Sequence, residues 1–255
     1  MSKTYYKTVK RDLKSWHGNV QYVVGERSSL VPTNRKPELC TDTVLHASSS
    51  PLDALKYAST LDCGLLEVSG DEVAHGDGKS GFYSLSVIRE VPDCEKDALY
   101  GFSYNEAIHP FNPCSTSVKL AKKDIETLKQ WDSVWDSVGA SVRDSVWDSV
   151  GASVWDSVWA SVGDSVWDSV GASVGDSVWA SVGDSVWDSV GAYIGFLFPA
   201  IEKWKHVNHE KGKYPFQSGA DLWKRGLIPV KSGRKWGLYH PIAGKPAELV
   251  WEGKF

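Results

Sequence analysis

No stretch of the chain approaches eighteen consecutive apolar residues, so no segment reads as a membrane span. The opening MSKTYYKTVKRDLKSW has no apolar core of the kind a secretory leader needs, and the expected location is the cytoplasm. There is no Cys-x-x-Cys. Cys40, Cys63, Cys94 and Cys114 lie twenty or more residues apart, which suits neither a zinc ribbon nor a disulfide scaffold. A P-loop, a Gly-x-Gly-x-x-Gly after a strand, His-Glu-x-x-His and Gly-x-Ser-x-Gly are all missing, so no complete catalytic signature is present. A large excess of one charge is missing too: a net −4 over 255 residues gives no general attraction to nucleic acid or anionic lipid. No metal or cofactor is expected, and the balance lies against an enzyme.

What the chain does have is tryptophan, 13 in all, and most of it lies in one tract. From Trp131 to Ile194 a unit x-(Asp/Ala)-Ser-Val repeats sixteen times without a break. Its first position holds Trp eight times, Gly seven times and Arg once, and its second holds Asp ten times and Ala six. Single-base codon changes interconvert these residues, so expansion by DNA duplication followed by drift explains the tract. Ser and Val did not drift, which implies a constraint on one side of the segment. On a strand, Val would share its face with up to ten Asp, and an unpaired buried carboxylate costs several kcal/mol. On a helix, Ser and Val form one contiguous stripe and the variable positions fall opposite. Helix is therefore favoured, with a β-solenoid as the competing arrangement. Uninterrupted, the helix would be a rod of roughly 96 Å, and because a four-residue repeat winds its stripe around the helix, either a right-handed superhelical assembly or several shorter broken helices would use it. Its eight Trp would be partly exposed.

The expected fold class is α+β. Residues 1–115 read as a mixed domain, close to neutral, with strands at Thr4–Thr8, Gln21–Val24, Thr43–Ala47, Gly64–Val68 and Tyr83–Val91. Ser50-Pro51 opens a helix, and Gly70–Gly81 reads as a charged loop. Residues 116–130 form a helical entry to the repeat at 131–194. Residues 195–255 hold a helix bent at Pro199 and a small antiparallel cap of three strands, at Leu227–Val230, Lys235–Tyr239 and Ala247–Trp251. The tail from Ile201 carries eleven basic residues against five acids and the repeat ten Asp against one Arg, so the two should attract. Trp204, Trp223 and Trp236 in this basic tail could stack on single-stranded nucleic acid, but a cap for the repeat is the stronger reading. His206 and His209 could share a helical face, although such a pair in a Lys-rich stretch is usually plain surface.

Val44-Leu45-His46-Ala47-Ser48 followed by Pro51-Leu52-Asp53-Ala54-Leu55 resembles the "GFHAC…PLDVL" signature of an uncharacterised domain of bacterial and phage proteins. Tyr214-Pro215-Phe216-Gln217, Asp221 to Leu227 and Leu249 to Gly253 are similar to the carboxy-terminal part of that group, which often carries tetrapeptide repeats. The resemblance implies a phage or mobile-element origin and no particular chemistry. The order of elements around His46 is also similar to small ADP-ribosyltransferases of the rifampin-modifying kind. That family's NAD-holding His is absent, since Tyr5-Tyr6-Lys7 stands in its place, while Asp77 falls where the family has an acid.

Two functions follow as expectations. The first is a non-enzymatic assembly protein that forms a homo-oligomer or binds a protein partner, without nucleic acid or membrane. Its interaction face would be the stripe of Ser153, Ser157, Ser161, Val154, Val158, Val162, Val166 and Val170. The second is an ADP-ribosyltransferase-like enzyme or nucleotide-ligand-binding protein, with Tyr6, His46, Ser48 and Asp77 at the ligand.

Overall fold

The computed structural model describes residues 3–18, 20–30, 35–166, 172–243 and 245–255, leaving aside the side chains of residues 166 and 172–183. Two compact units divide after Tyr100, so residues 101–115 belong with the repeat. In the first unit, strands β1 (Tyr5–Val9), β4 (Gly64–Ser69), β7 (Ser84–Val91) and β2 (Arg27–Ser29) form an antiparallel sheet in the order β1-β4-β7-β2. A second antiparallel sheet has the order β3-β6-β5, from β3 (Leu45–Ala47), β6 (Lys79–Phe82) and β5 (Glu72–Gly76). Strand β4 is central, and Leu65, Leu66 and Val68 on it are fully buried, as its near-continuous apolar run requires. The core joins Tyr5, Val9, Tyr22, Leu45, Phe82 and Leu85 from both sheets. Helix α1 (Pro51–Leu55) starts as the sequence implies, the Ser50 hydroxyl accepting from the Asp53 N–H at 3.1 Å. Helix α2 (Asp93–Tyr100) closes the unit.

Three local expectations change here. Gln21–Val24 forms no strand beyond a single bridge from Gln21 to Lys14, and the edge strand is β2 instead. Gly70–Gly81 is not a loop but the hairpin β5–β6, turned by Asp77-Gly78 with Gly78 at φ +70°. Gly76-Asp77-Gly78-Lys79-Ser80-Gly81 therefore does place Gly-x-Gly-x-x-Gly after a strand. It leads into another strand, so there is no helix N-terminus to receive a pyrophosphate.

The second unit contains α3 (Tyr104–Ile108), α4 (Lys122–Asp132), α5 (Val138–Val150), α6 (Ala152–Val166), α7 (Ala172–Phe196) and α8 (Gln217–Lys224). An antiparallel meander follows: β8 (Ile228–Ser232), β9 (Lys235–Ile242) and β10 (Lys245–Gly253). Among the described residues the repeat is helical and no solenoid forms. The continuous rod is corrected, because Gly151 at φ +85° ends α5 and the chain packs α5 against both α6 and α7. A four-residue repeat advances about 40° past each turn of helix, so a Ser/Val stripe leaves a packed face within three or four copies. Breaking the helix at a glycine resets the stripe. Likewise α7 stops at Phe196, short of the bend expected at Pro199.

The constraint on valine is now visible. Val138, Val142, Val146, Val150, Val154, Val158, Val162, Val186 and Val190 are each no more than 4% exposed. Ser141, Ser145 and Ser189 are buried between α5 and α7, where small side chains let the helices approach. Val154, Val158 and Val162 therefore pack within one chain, while Ser153 is exposed and Ser157 and Ser161 half-buried. Ser157 donates to the Ser153 carbonyl at 2.8 Å and Ser161 to that of Ala107 at 2.8 Å. A seam between copies through these valines would have to open this packing. Val170 and the Val166 side chain lie outside the described residues. The Trp position is not uniformly outward either. Trp131 and Trp155 are buried, Trp159 stacks on Trp187 at 5.6 Å, and Trp147 is 49% exposed.

Tail and repeat meet through opposite charges, as expected, at Lys205 with Asp148 and Lys231 with Asp132 at 2.7 Å, and the His206 Nε2 lies 2.8 Å from the Asp144 carboxylate. The His206/His209 pair is not on a helix, and the His209 Nε2 accepts from the Trp204 N–H at 2.8 Å. Trp204, Trp223 and Trp236 are at most 3% exposed, so they form no stacking platform for nucleic acid. No helix among the described residues is long and apolar enough to cross a membrane.

Asp188 yields a prediction about pH. Burial, and then Asp184 and Asp136 nearby, push its carboxyl up to about 7. A carboxyl raised above its unfolded value favours the folded state while protonated, and that contribution is lost as pH rises through the folded value. Asp188→Asn should therefore resist urea better than the parent at pH 8 and gain little at pH 4. Asp132 and Asp144, held low first by Lys231 and His206 respectively, pull the opposite way in both proteins and cancel in the comparison. An advantage independent of pH would refute the assignment.

A candidate ligand cavity in the first unit

Register builds the site. Tyr6 pairs with Ser48 across the two sheets, backbone to backbone at 2.7 and 2.8 Å, which brings β1 against β3. A cavity of about 630 Å³ opens beside this join. Its walls come from β1, the 15–22 segment, the 40–48 segment and α1, with Lys79 from the hairpin. The volume falls within the range of small-molecule sites.

Strand alternation puts Tyr5, Lys7 and Val9 on one face, so Lys7 shares its side with two core residues. The Lys7 Nζ donates to the His46 carbonyl at 2.8 Å and lies 5.2 Å from the centre of the Tyr22 ring. Loss of hydration lowers it to about 8. His46 is pulled down to about 4, by burial first and then by Lys7 and Lys79. It is neutral at pH 7, and its Nε2 accepts from the Cys40 N–H at 2.9 Å, so the ring proton belongs on Nδ1. The Lys79 Nζ lies 2.9 Å from the Cys40 Sγ and 4.5 Å from the centre of the Tyr57 ring.

Two donors in the wall have no protein acceptor: the Trp16 Nε1 and the Tyr22 hydroxyl, both buried. Desolvation also drives the Tyr22 hydroxyl far above its ordinary value, so it stays a donor at any working pH. The carboxylate in the lining, Asp42, is already paired with Arg35. The cavity thus offers two ammonium groups and flat rings, against one carboxylate already paired with Arg35.

Of the residues singled out in the sequence, Tyr6, His46 and Ser48 all line the cavity. Asp77 does not. It is exposed in the hairpin turn, where its carbonyl accepts from the Tyr57 hydroxyl at 2.9 Å. His46 also fits the plainer reading of a histidine satisfied by its surroundings. Lys7, Trp16, Tyr22 and Lys79 were not anticipated. Only Lys7 left a trace in the sequence, as a cation in register with inward-facing Tyr5 and Val9. Among the described residues no group of three or more His, Cys, Asp or Glu is arranged to hold a metal. Comparison with models of protein families, with curated proteins and with solved structures finds no match.

Proposed function

We propose that the first unit binds a small anionic ligand with a flat ring, a nucleotide-like molecule being one that fits the chemistry. The observation that carries this reading is the imbalance of the cavity wall. Two lysines supply the charge that such a ligand needs, and Trp16, Tyr22 and Tyr57 supply flat surface. Tyr6 and Ser48 set the distance between the sheets and hence the width of the site.

The test is a melting assay of the full chain with matched pairs of ligands: an aromatic carboxylate or nucleoside monophosphate against the corresponding neutral amide or nucleoside. Stabilisation at a hundredfold excess over the dissociation constant amounts to about 2.7 kcal/mol. The charged member of a pair should raise the melting temperature, and Lys79→Ala should blunt the rise. Equal effects of charged and neutral partners would reject the proposal.

A further inference from the structure

We propose that Lys7 is a nucleophilic amine that captures a carbonyl-bearing anionic ligand as a reversible imine inside this cavity. The inference rests on the binding role proposed above and adds a covalent step to it.

Lys7 is half-buried, and no carboxylate among the described residues pairs with it. Lys7 instead donates to a neutral carbonyl and lies over an aromatic ring, at the edge of a cavity large enough for a small molecule. The charged and titratable groups around the same space are Tyr6, His17, Tyr22, Cys40, Asp42, His46, Tyr57 and Lys79. Asp42 is engaged by Arg35 and His46 is uncharged, so neither neutralises it. Desolvation in a pocket is a general way in which an amine is kept unprotonated and reactive near neutral pH. The lowering of Lys7 to about 8 follows from the same surroundings.

The step balances without an added reagent. The neutral Lys7 nitrogen attacks the carbonyl carbon and gives a carbinolamine. The nitrogen then gives up its remaining protons as the carbonyl oxygen departs as water, and a C=N bond takes the place of C=O. Hydrolysis reverses it, so the ligand is held without being consumed.

The experiment uses the intact protein with 4-formylbenzoate and cyanoborohydride, which fixes any imine as a stable secondary amine. Adducts are then counted lysine by lysine by peptide mass spectrometry. At pH 7.5 Lys7 should be labelled about tenfold faster than exposed lysines such as Lys36 and Lys213, because far more of it is unprotonated. Its rate should level off above pH 8 while theirs keep rising. Terephthalate, which has the charge and ring but no aldehyde, should protect Lys7 and leave the others unchanged. Lys7→Arg, which keeps a cation and a donor for the His46 carbonyl, should abolish the fast phase. Terephthalate binding with Lys7 labelled no faster than surface lysines overturns the covalent step and leaves the binding role standing. Absence of both binding and labelling overturns the two together.

Discussion

Val146→Asp should unfold the second unit. Val146 is fully buried on α5, and Arg143, one turn before it, is exposed and paired with Asp144. The substitution removes a packed side chain and leaves a carboxylate without partner or water. Core truncation and charge burial together amount to at least about 3–5 kcal/mol, comparable with the whole stability of many domains. The adjacent Trp147 is 49% exposed, so Trp147→Ala should change stability by less than about 1 kcal/mol. Urea melts followed by circular dichroism separate the two outcomes, because the helical signal comes mainly from this unit. If Trp147→Ala proves the more damaging, the inward and outward sides of the repeat have been exchanged.

Trp131→Ala should cost about 3–5 kcal/mol, the usual range for emptying a fully buried aromatic site. Trp131 opens the repeat, and it is 1% exposed. Its ring lies so close to Gly219 of α8 that a Cβ built there would stand 2.6 Å from the Trp131 Cζ3 and 2.8 Å from the Ala192 Cβ. Gly219→Val should therefore destabilise through overpacking, by about 1–3 kcal/mol. Trp131→Ala makes room for it, so the double variant should melt above the level that adding the two penalties gives. Strict additivity in chemical denaturation would mean that the two residues do not share one contact.

The parts of the fold legible in the sequence are those in which a local rule and the tertiary structure agree. Gly64–Val68 and Tyr83–Val91 have the apolar content of paired strands, and Ser50-Pro51 has the chemistry of a helix start. The carboxy-terminal meander turns at Gly233-Arg234, one residue beyond the expected Ser232-Gly233, with Gly233 at φ +59°. The hairpin at Glu72–Phe82 escaped because its strands carry Gly, Ser, His and Lys in place of β-branched residues. Its Asp77-Gly78 turn was nevertheless a usable signal. The helical state of the repeat followed from the burial cost of Asp. That it could break into shorter helices followed from the winding stripe, but the place did not, because seven glycines are equivalent in sequence and only packing selects Gly151. The cavity was legible only in part. Tyr6, His46 and Ser48 lie on strands that a motif marks, whereas Trp16, Tyr22 and Lys79 reach the same space through chain reversals that no periodicity encodes.

The repeat is fastened at both ends. Its first copy has Trp131 against Gly219 and Asp132 accepting from both the Trp236 indole and Lys231 at 2.7 Å. Its last copy has Tyr193 accepting from the Phe111 N–H at 2.9 Å and facing Trp223 at 6.2 Å. A tract made by copying errors in DNA is expected to vary in length, yet one extra unit inside α5 would swing everything beyond it by about 40° and advance it by about 6 Å. Such a shift would pull Asp144 away from His206 and Ser145 away from the Lys205 N–H. Copy number is thus tied to the geometry of the two ends. Lengthening and shortening are tolerable where one helix gives way to the next, so natural length variants should differ at those joints rather than within a helix.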